Sequence, residues 1–215
     1  MTAELSPRSP RRQQTRERLM DAAYELFAEE GVHATPIEAI AEAAGFTRGA
    51  FYSNFESKND LFFALADREW DLRLTIVRNA IADFAATAPS GQLDQQVSAL
   101  LIEVFSALPD DRKWALIYRE FELLALRDEA IAPQYLDHQR AFHGQLTEVL
   151  TFAAERFGVA FTTDPADVAA LLTLVHENAN RGAMLAGAPD TQEATRDELL
   201  RILPPLLHHF TGHTT

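Results

Sequence analysis

The 215-residue sequence contains no cysteine, which excludes a disulfide framework and any thiolate-held metal centre. It lacks an apolar run near the about 18 residues that a membrane-crossing helix needs. Its first dozen residues are polar and arginine-rich, without the apolar stretch of a secretory leader, so a cytoplasmic protein without a membrane partner is expected. Strand-like alternation persists nowhere, and no repeat of fixed period or low-complexity tract is present. The phosphate-cradling GxxxxGK[ST], the nucleophilic GxSxG and the zinc-binding HExxH are missing too, so nothing anchors an enzyme, and no cofactor is expected. Cations are few: 19 Lys and Arg against 32 Asp and Glu, a net charge of -13. Such a chain is unsuited to coating nucleic acid over its whole surface, as a nucleoid organiser does.

Charge location is more telling than its sum. Residues 1–60 carry seven Lys/Arg against ten Asp/Glu, and the remainder carries twelve against twenty-two. Five of the early cations lie between Arg8 and Arg18, where Glu17 is the only acid. Residues 1–11, with Pro7 and Pro10, read as a flexible basic arm. From Thr15 the pattern turns helical, with Leu19, Ala22, Ala23, Leu26 and Phe27 on one stripe and Gly31 as a stop. Thr35, Pro36 and Glu38 make a capping-box start for a short helix ended by Gly45. Thr47 can cap another short helix holding Arg48, Gly49, Ala50, Phe51 and Tyr52. Ser57 and Asp60 open a long helix that runs through Leu61 and Trp70 toward Ala88.

Two short helices joined by a glycine-containing turn on a longer first helix make a helix-turn-helix unit. The second short helix of such a unit enters the major groove of DNA with its N-terminal residues foremost. Arg48 and Lys58 then stand at helix starts, where a cation is ordinarily unfavourable by a few tenths to about 1 kcal/mol. A phosphate or base edge placed there reverses that cost. Arg48 can reach guanine O6 and N7, Gly49 and Ala50 let the backbone approach, and Ala50 can touch a thymine methyl. Tyr52 and Lys58 can hold phosphates, and Thr35 and Thr47 can donate to them as well as cap. Phe46, Phe51 and Phe55 face inward. Taken singly, each residue also has a plain reading as a cap, a solvated charge or a packing ring.

The stretch AAYELFAEEGVHATPIEAIAEAAGFTRGAFYSNFESKNDLF resembles the N-terminal domain of the TetR family of bacterial transcriptional regulators. The spaced residues Gly49, Tyr52, Phe55, Lys58 and Leu61 carry much of the match, which covers residues 12–72. The usual threonine after the recognition-helix glycine is Ala50 here. The resemblance implies an all-α homodimer: a three-helix DNA-binding domain at 12–60 and a larger helical domain at 61–215 for ligand binding and dimerisation. It implies a palindromic double-stranded operator and repression relieved by a small, largely apolar effector. An activator or dual regulator of the same fold without an effector is the alternative.

Breakers divide the rest into helices at 93–108, 113–127, 130–157, 165–186 and 191–203, with Pro89-Ser90-Gly91 as the clearest break and Pro204-Pro205 expected to kink or end the last. Trp114, Tyr118 and Phe121 lie on one stripe with Glu122 beside it; Phe105, Phe142 and His176 face them from other segments. These seven residues are an ordinary core or the lining of a ligand cavity. The helices within 165–210 carry more apolar residues than one monomer covers, and by resemblance they pair with their copies in the homodimer. His208, His209 and His213 lack nearby carboxylates, so no metal site is expected.

Overall fold

The computed structural model describes residues 10–87, 93–109 and 112–213. Nine helices account for most of them: α1 (Pro10–Glu30), α2 (Ile37–Ala43), α3 (Arg48–Tyr52), α4 (Lys58–Thr87), α5 (Leu93–Ala107), α6 (Arg112–Arg127), α7 (Ala132–Phe157), α8 (Pro165–Leu185) and α9 (Thr191–Phe210). The architecture is all-α. Two three-residue strands, β1 (Val159–Phe161) and β2 (Thr211–His213), pair antiparallel with Val159 opposite His213.

The chain divides into two compact units, and the division differs from the expected boundary at residue 60. Unit 1 holds residues up to Arg68 together with Lys113–Ala132, which includes nearly all of α6. Unit 2 holds Glu69–Arg112 and Pro133–Thr215. The reason is apolar burial. Leu61, Phe62 and Leu65 of α4 are fully buried, as are Ile117 and Phe121 of α6. Each such side chain removed from water contributes roughly 1.5–3 kcal/mol. In unit 1 the Phe121 ring lies face to face on Phe62 at 3.5 Å, which ties α6 to the start of α4.

The remaining core of unit 1 includes the stripe read from α1, with Leu19, Ala23 and Phe27 buried, together with Ile40 and Ala41 of α2 and Phe51 of α3. α1 begins at Pro10, not Thr15, so residues 10 and 11 are helical; the rest of the expected arm, 1–9, lies outside the described residues. The early arginines are also put to structural use. Arg12 Nη2 donates to the Ser53 carbonyl at 3.0 Å. Arg16 donates to the Asn54 carbonyl and lies 3.9 Å over the Phe55 ring. Guanidinium groups at a helix C-terminus satisfy its orphan carbonyls and complement its dipole, so α1 clamps the far end of α3.

In unit 2, Leu74, Ala80 and Ile81 of α4 cluster with Val104 of α5 and Val149 of α7. A second cluster joins Ala179 of α8 to Leu199 and Leu203 of α9. Asp164 caps α8 by accepting from the Ala166 N–H at 2.9 Å, with Pro165 in the first turn. The last helix, expected to kink or end at Pro204-Pro205, runs through them to Phe210. Leu203 is buried and Leu207 packs on the same cluster, so tertiary contacts on both sides of the prolines carry the helix past its lost hydrogen bonds. The Pro89-Ser90-Gly91 break and Asp110-Asp111 lie outside the described residues. No helix among the described residues is long and apolar enough to cross a membrane.

Candidate functional site

α3 is only five residues long, so its orientation is set from outside. Phe51 is fully buried on its inner side, in edge contact with Tyr52 and 5.8 Å from Phe55. Phe46 is half-buried beneath the Arg18 guanidinium, 4.7 Å from the ring centre. Thr47 caps the helix, accepting from the Ala50 N–H at 3.3 Å. The turn before it needs Gly45, which has φ +73°, and a Cβ there would also stand 2.9 Å from Arg18.

The outer side of α3 presents Thr47, Arg48, Gly49 and Tyr52, all exposed, with Ala50 partly covered. Gly49 is not demanded by the fold: a Cβ there would meet Thr47 Oγ1 at an ordinary 3.7 Å and nothing nearer. Arg48 pairs with Glu38 of α2 at 2.6 Å, donates to the Tyr52 hydroxyl at 3.5 Å, and stands over the Tyr52 ring. Its pKa is raised further, first by the Tyr52 hydrogen bond and then by the Glu38 charge. The unfavourable cation at the start of α3 is thus offset by a carboxylate from α2.

Lys58 is offset differently. Its ammonium donates to the His33 carbonyl at 3.0 Å and the Thr35 carbonyl at 2.9 Å. Burial pushes its pKa down, and the Glu120 charge pushes it partly back. Glu120, from α6, accepts from the Val32 N–H at 2.8 Å and the His33 N–H at 3.1 Å. A carboxylate and an ammonium therefore grip the α1–α2 turn from two sides. Gly31 makes room for the grip, with φ +89° and a Cβ position only 2.8 Å from Glu120 Oε2. Thr35 belongs to this turn. It is fully buried and donates to the Gly31 carbonyl at 2.7 Å. It caps nothing: Pro36 holds the N-cap position of α2 without a side-chain bond. The capping box expected of Thr35 and Glu38 does not form, because the hydroxyl satisfies the end of α1 and Glu38 is drawn to Arg48.

Of the seven residues expected at a ligand cavity, three are together in unit 2. Phe105, Phe142 and His176 line a cavity of about 270 Å³ whose wall is mostly aliphatic, including Leu74, Leu100, Val104, Leu146 and Val149. His176 lies nearly parallel to Phe105 at 6.2 Å, and Arg73, Gln96 and Thr173 are the other polar members of the wall. Arg73 is engaged by Glu69 at 2.8 Å, both nearly buried. Trp114, Tyr118, Phe121 and Glu122 do not line this cavity; they stand on α6 in unit 1. Trp114 and Phe121 pack over Phe62, Tyr118 lies against Trp114, and Glu122 pairs with Arg119 at 3.0 Å. The cause is simple: the aromatic stripe of α6 packs on the apolar start of α4 in unit 1, so it is core. Among the described residues no cluster of His, Asp and Glu is arranged to hold a metal.

The sequence model for bacterial regulatory proteins of the tetR family matches residues 19–65, which span α1 to the first turns of α4. The probable acrEF/envCD operon repressor of Escherichia coli K12 is 31% identical over 151 residues, covering 70% of this chain and 67% of that protein. The chain belongs to the TetR family of bacterial regulatory proteins.

TetR-family relatives match it over differing spans. The HTH-type transcriptional regulator AcrR of Shigella flexneri is 32% identical over 105 residues, and the chain spans about half of that protein's length, 47%. Among solved structures, SmeT, the repressor of the Stenotrophomonas maltophilia multidrug efflux pump SmeDEF, superposes with a TM-score of 0.59 at 25% identity. It covers 94% of this chain and 92% of its own. TetR-family proteins are transcriptional regulators and not enzymes. Sequence reasoning missed Glu38 as the partner of Arg48 and Glu120 as the holder of the α1–α2 turn. Glu38 was legible only as a cap. No local signal marks Glu120, whose partners are 87 and 88 residues away.

Proposed function

We propose that the protein is a homodimeric repressor that binds a palindromic double-stranded operator and is released by a small, largely apolar effector. The observation that carries the DNA reading is the outer edge of α3. Thr47, Arg48, Gly49 and Tyr52 stand exposed on a helix fixed from behind by Phe51 and Phe55 and clamped at its end by Arg12 and Arg16. Two such helices in a dimer insert about one helical turn apart, roughly 34–36 Å. Ala50 offers a methyl to thymine, while Lys58 and Thr35 hold the turn behind the interface. Leu174 and Leu185 on α8 are 64% and 82% exposed in the single chain, which supports pairing through α8 and α9. The effector site is the unit 2 cavity. At about 270 Å³ it is nearly twice the size of a cavity known to hold benzene, so it suits a molecule of about two fused rings. The relatives named as repressors favour repression over activation.

Footprinting of the DNA flanking the protein's own gene, at low and high salt, tests the reading. A single protected palindrome that survives moderate salt is expected. Uniform coverage that fades with salt, or no protection, overturns it.

A further inference from the structure

The Arg48–Glu38 pair is exposed on both sides, so it adds little to stability. Its position is more informative. The two side chains come from different helices, one from the start of α2 and one from the start of α3, and meet on the edge that faces the duplex in the reading above. Nη1 of Arg48 goes to Glu38 and Nη2 to the Tyr52 hydroxyl. Each of these nitrogens carries a second N–H. The guanidinium is therefore held in one orientation with donors beside an exposed carboxylate acceptor.

We propose that Arg48 and Glu38 together read one G·C base pair: Arg48 donates to guanine N7 and O6 while Glu38 accepts from the cytosine N4 amino group. The major-groove edge of G·C runs acceptor, acceptor, donor, and the pair supplies donor, donor, acceptor in one rigid unit. An A·T pair runs acceptor, donor, acceptor and then a methyl, so the carboxylate meets either the thymine O4 or the methyl and is left unpaired. Arginine alone is content with a guanine or a phosphate; the carboxylate adds the penalty against the wrong base. Glu38 is thus a specificity determinant, and Tyr52 steadies the guanidinium from the other side. The proposal rests on the DNA-binding reading.

The test is selection from a randomised duplex library at one fixed salt concentration, with the full chain, Arg48→Ala and Glu38→Gln. Glutamine keeps the shape but both donates and accepts, so it tolerates either base pair. The full chain should enrich a motif with a G·C pair that Arg48→Ala abandons. Glu38→Gln should lower the preference for G·C over A·T about tenfold at that same base pair and leave the rest of the motif intact. An unchanged preference in Glu38→Gln, or a change at a different base pair from the one Arg48→Ala affects, overturns the proposal. Failure of the full chain to enrich any motif overturns the regulator reading itself.

Discussion

Replacing Phe121 by alanine separates two roles that an aromatic on α6 can have. The ring is fully buried in unit 1, face to face with Phe62 at 3.5 Å and edge-on to Phe63 at 5.1 Å. Truncating a buried phenylalanine costs about 3–5 kcal/mol. Aromatic pairs add to this chiefly when offset or edge-on. The Phe62 contact is a direct overlay, so only the Phe63 edge contact earns that addition and a loss of about 4 kcal/mol is expected. Against a total stability of about 5–15 kcal/mol, that is a severe loss for the unit bearing α3. The two tryptophans allow the units to be followed separately, because Trp114 lies in unit 1 and Trp70 in unit 2. In a Trp70→Phe background, urea unfolding read from Trp114 fluorescence should show a strongly lowered midpoint for Phe121→Ala. Binding of an apolar fluorescent naphthalene probe to the cavity should stay within about twofold at temperatures where both proteins are folded. A stability loss below about 1 kcal/mol, or loss of probe binding with the midpoint unchanged, refutes the assignment of Phe121 to the unit 1 core.

Two further substitutions test the grip on the α1–α2 turn. Glu120→Ala removes the acceptor for two backbone N–H groups, of which His33's is exposed and can turn to water, so a loss of about 1–3 kcal/mol is expected in urea unfolding, with weaker operator binding and unchanged probe binding. Lys58→Ala should cost about 1 kcal/mol of stability yet leave the slope of log affinity against log salt unchanged, since its ammonium is already held by two carbonyls. A slope smaller by about one would restore Lys58 as a phosphate contact.

Much of unit 1 could be read along the chain because its signals are local. Thr47 caps the helix it precedes, Gly45 turns where a positive φ is needed, and Phe51 and Phe55 are buried at the spacing that faces them inward. Charges were harder to place. The two cations at helix starts were legible as anomalies, but their partners come from elsewhere in the fold: Glu38 from the neighbouring helix for Arg48, and the turn carbonyls for Lys58. A capping pattern at Thr35 and Glu38 was overridden because each side chain found a nonlocal or opposing-end partner.

By itself the sequence determined that the chain is helical, where most helices begin and end, and which short helix bears an arginine at its leading edge. These properties follow from periodicity, caps and glycine, which act within a few residues. Only the tertiary structure decided that α6 belongs with α1, α2 and α3, so that Trp114 and Phe121 are core while Phe105, Phe142 and His176 line a cavity. An amphipathic helix shows which of its faces is apolar, but not which apolar surface that face will cover.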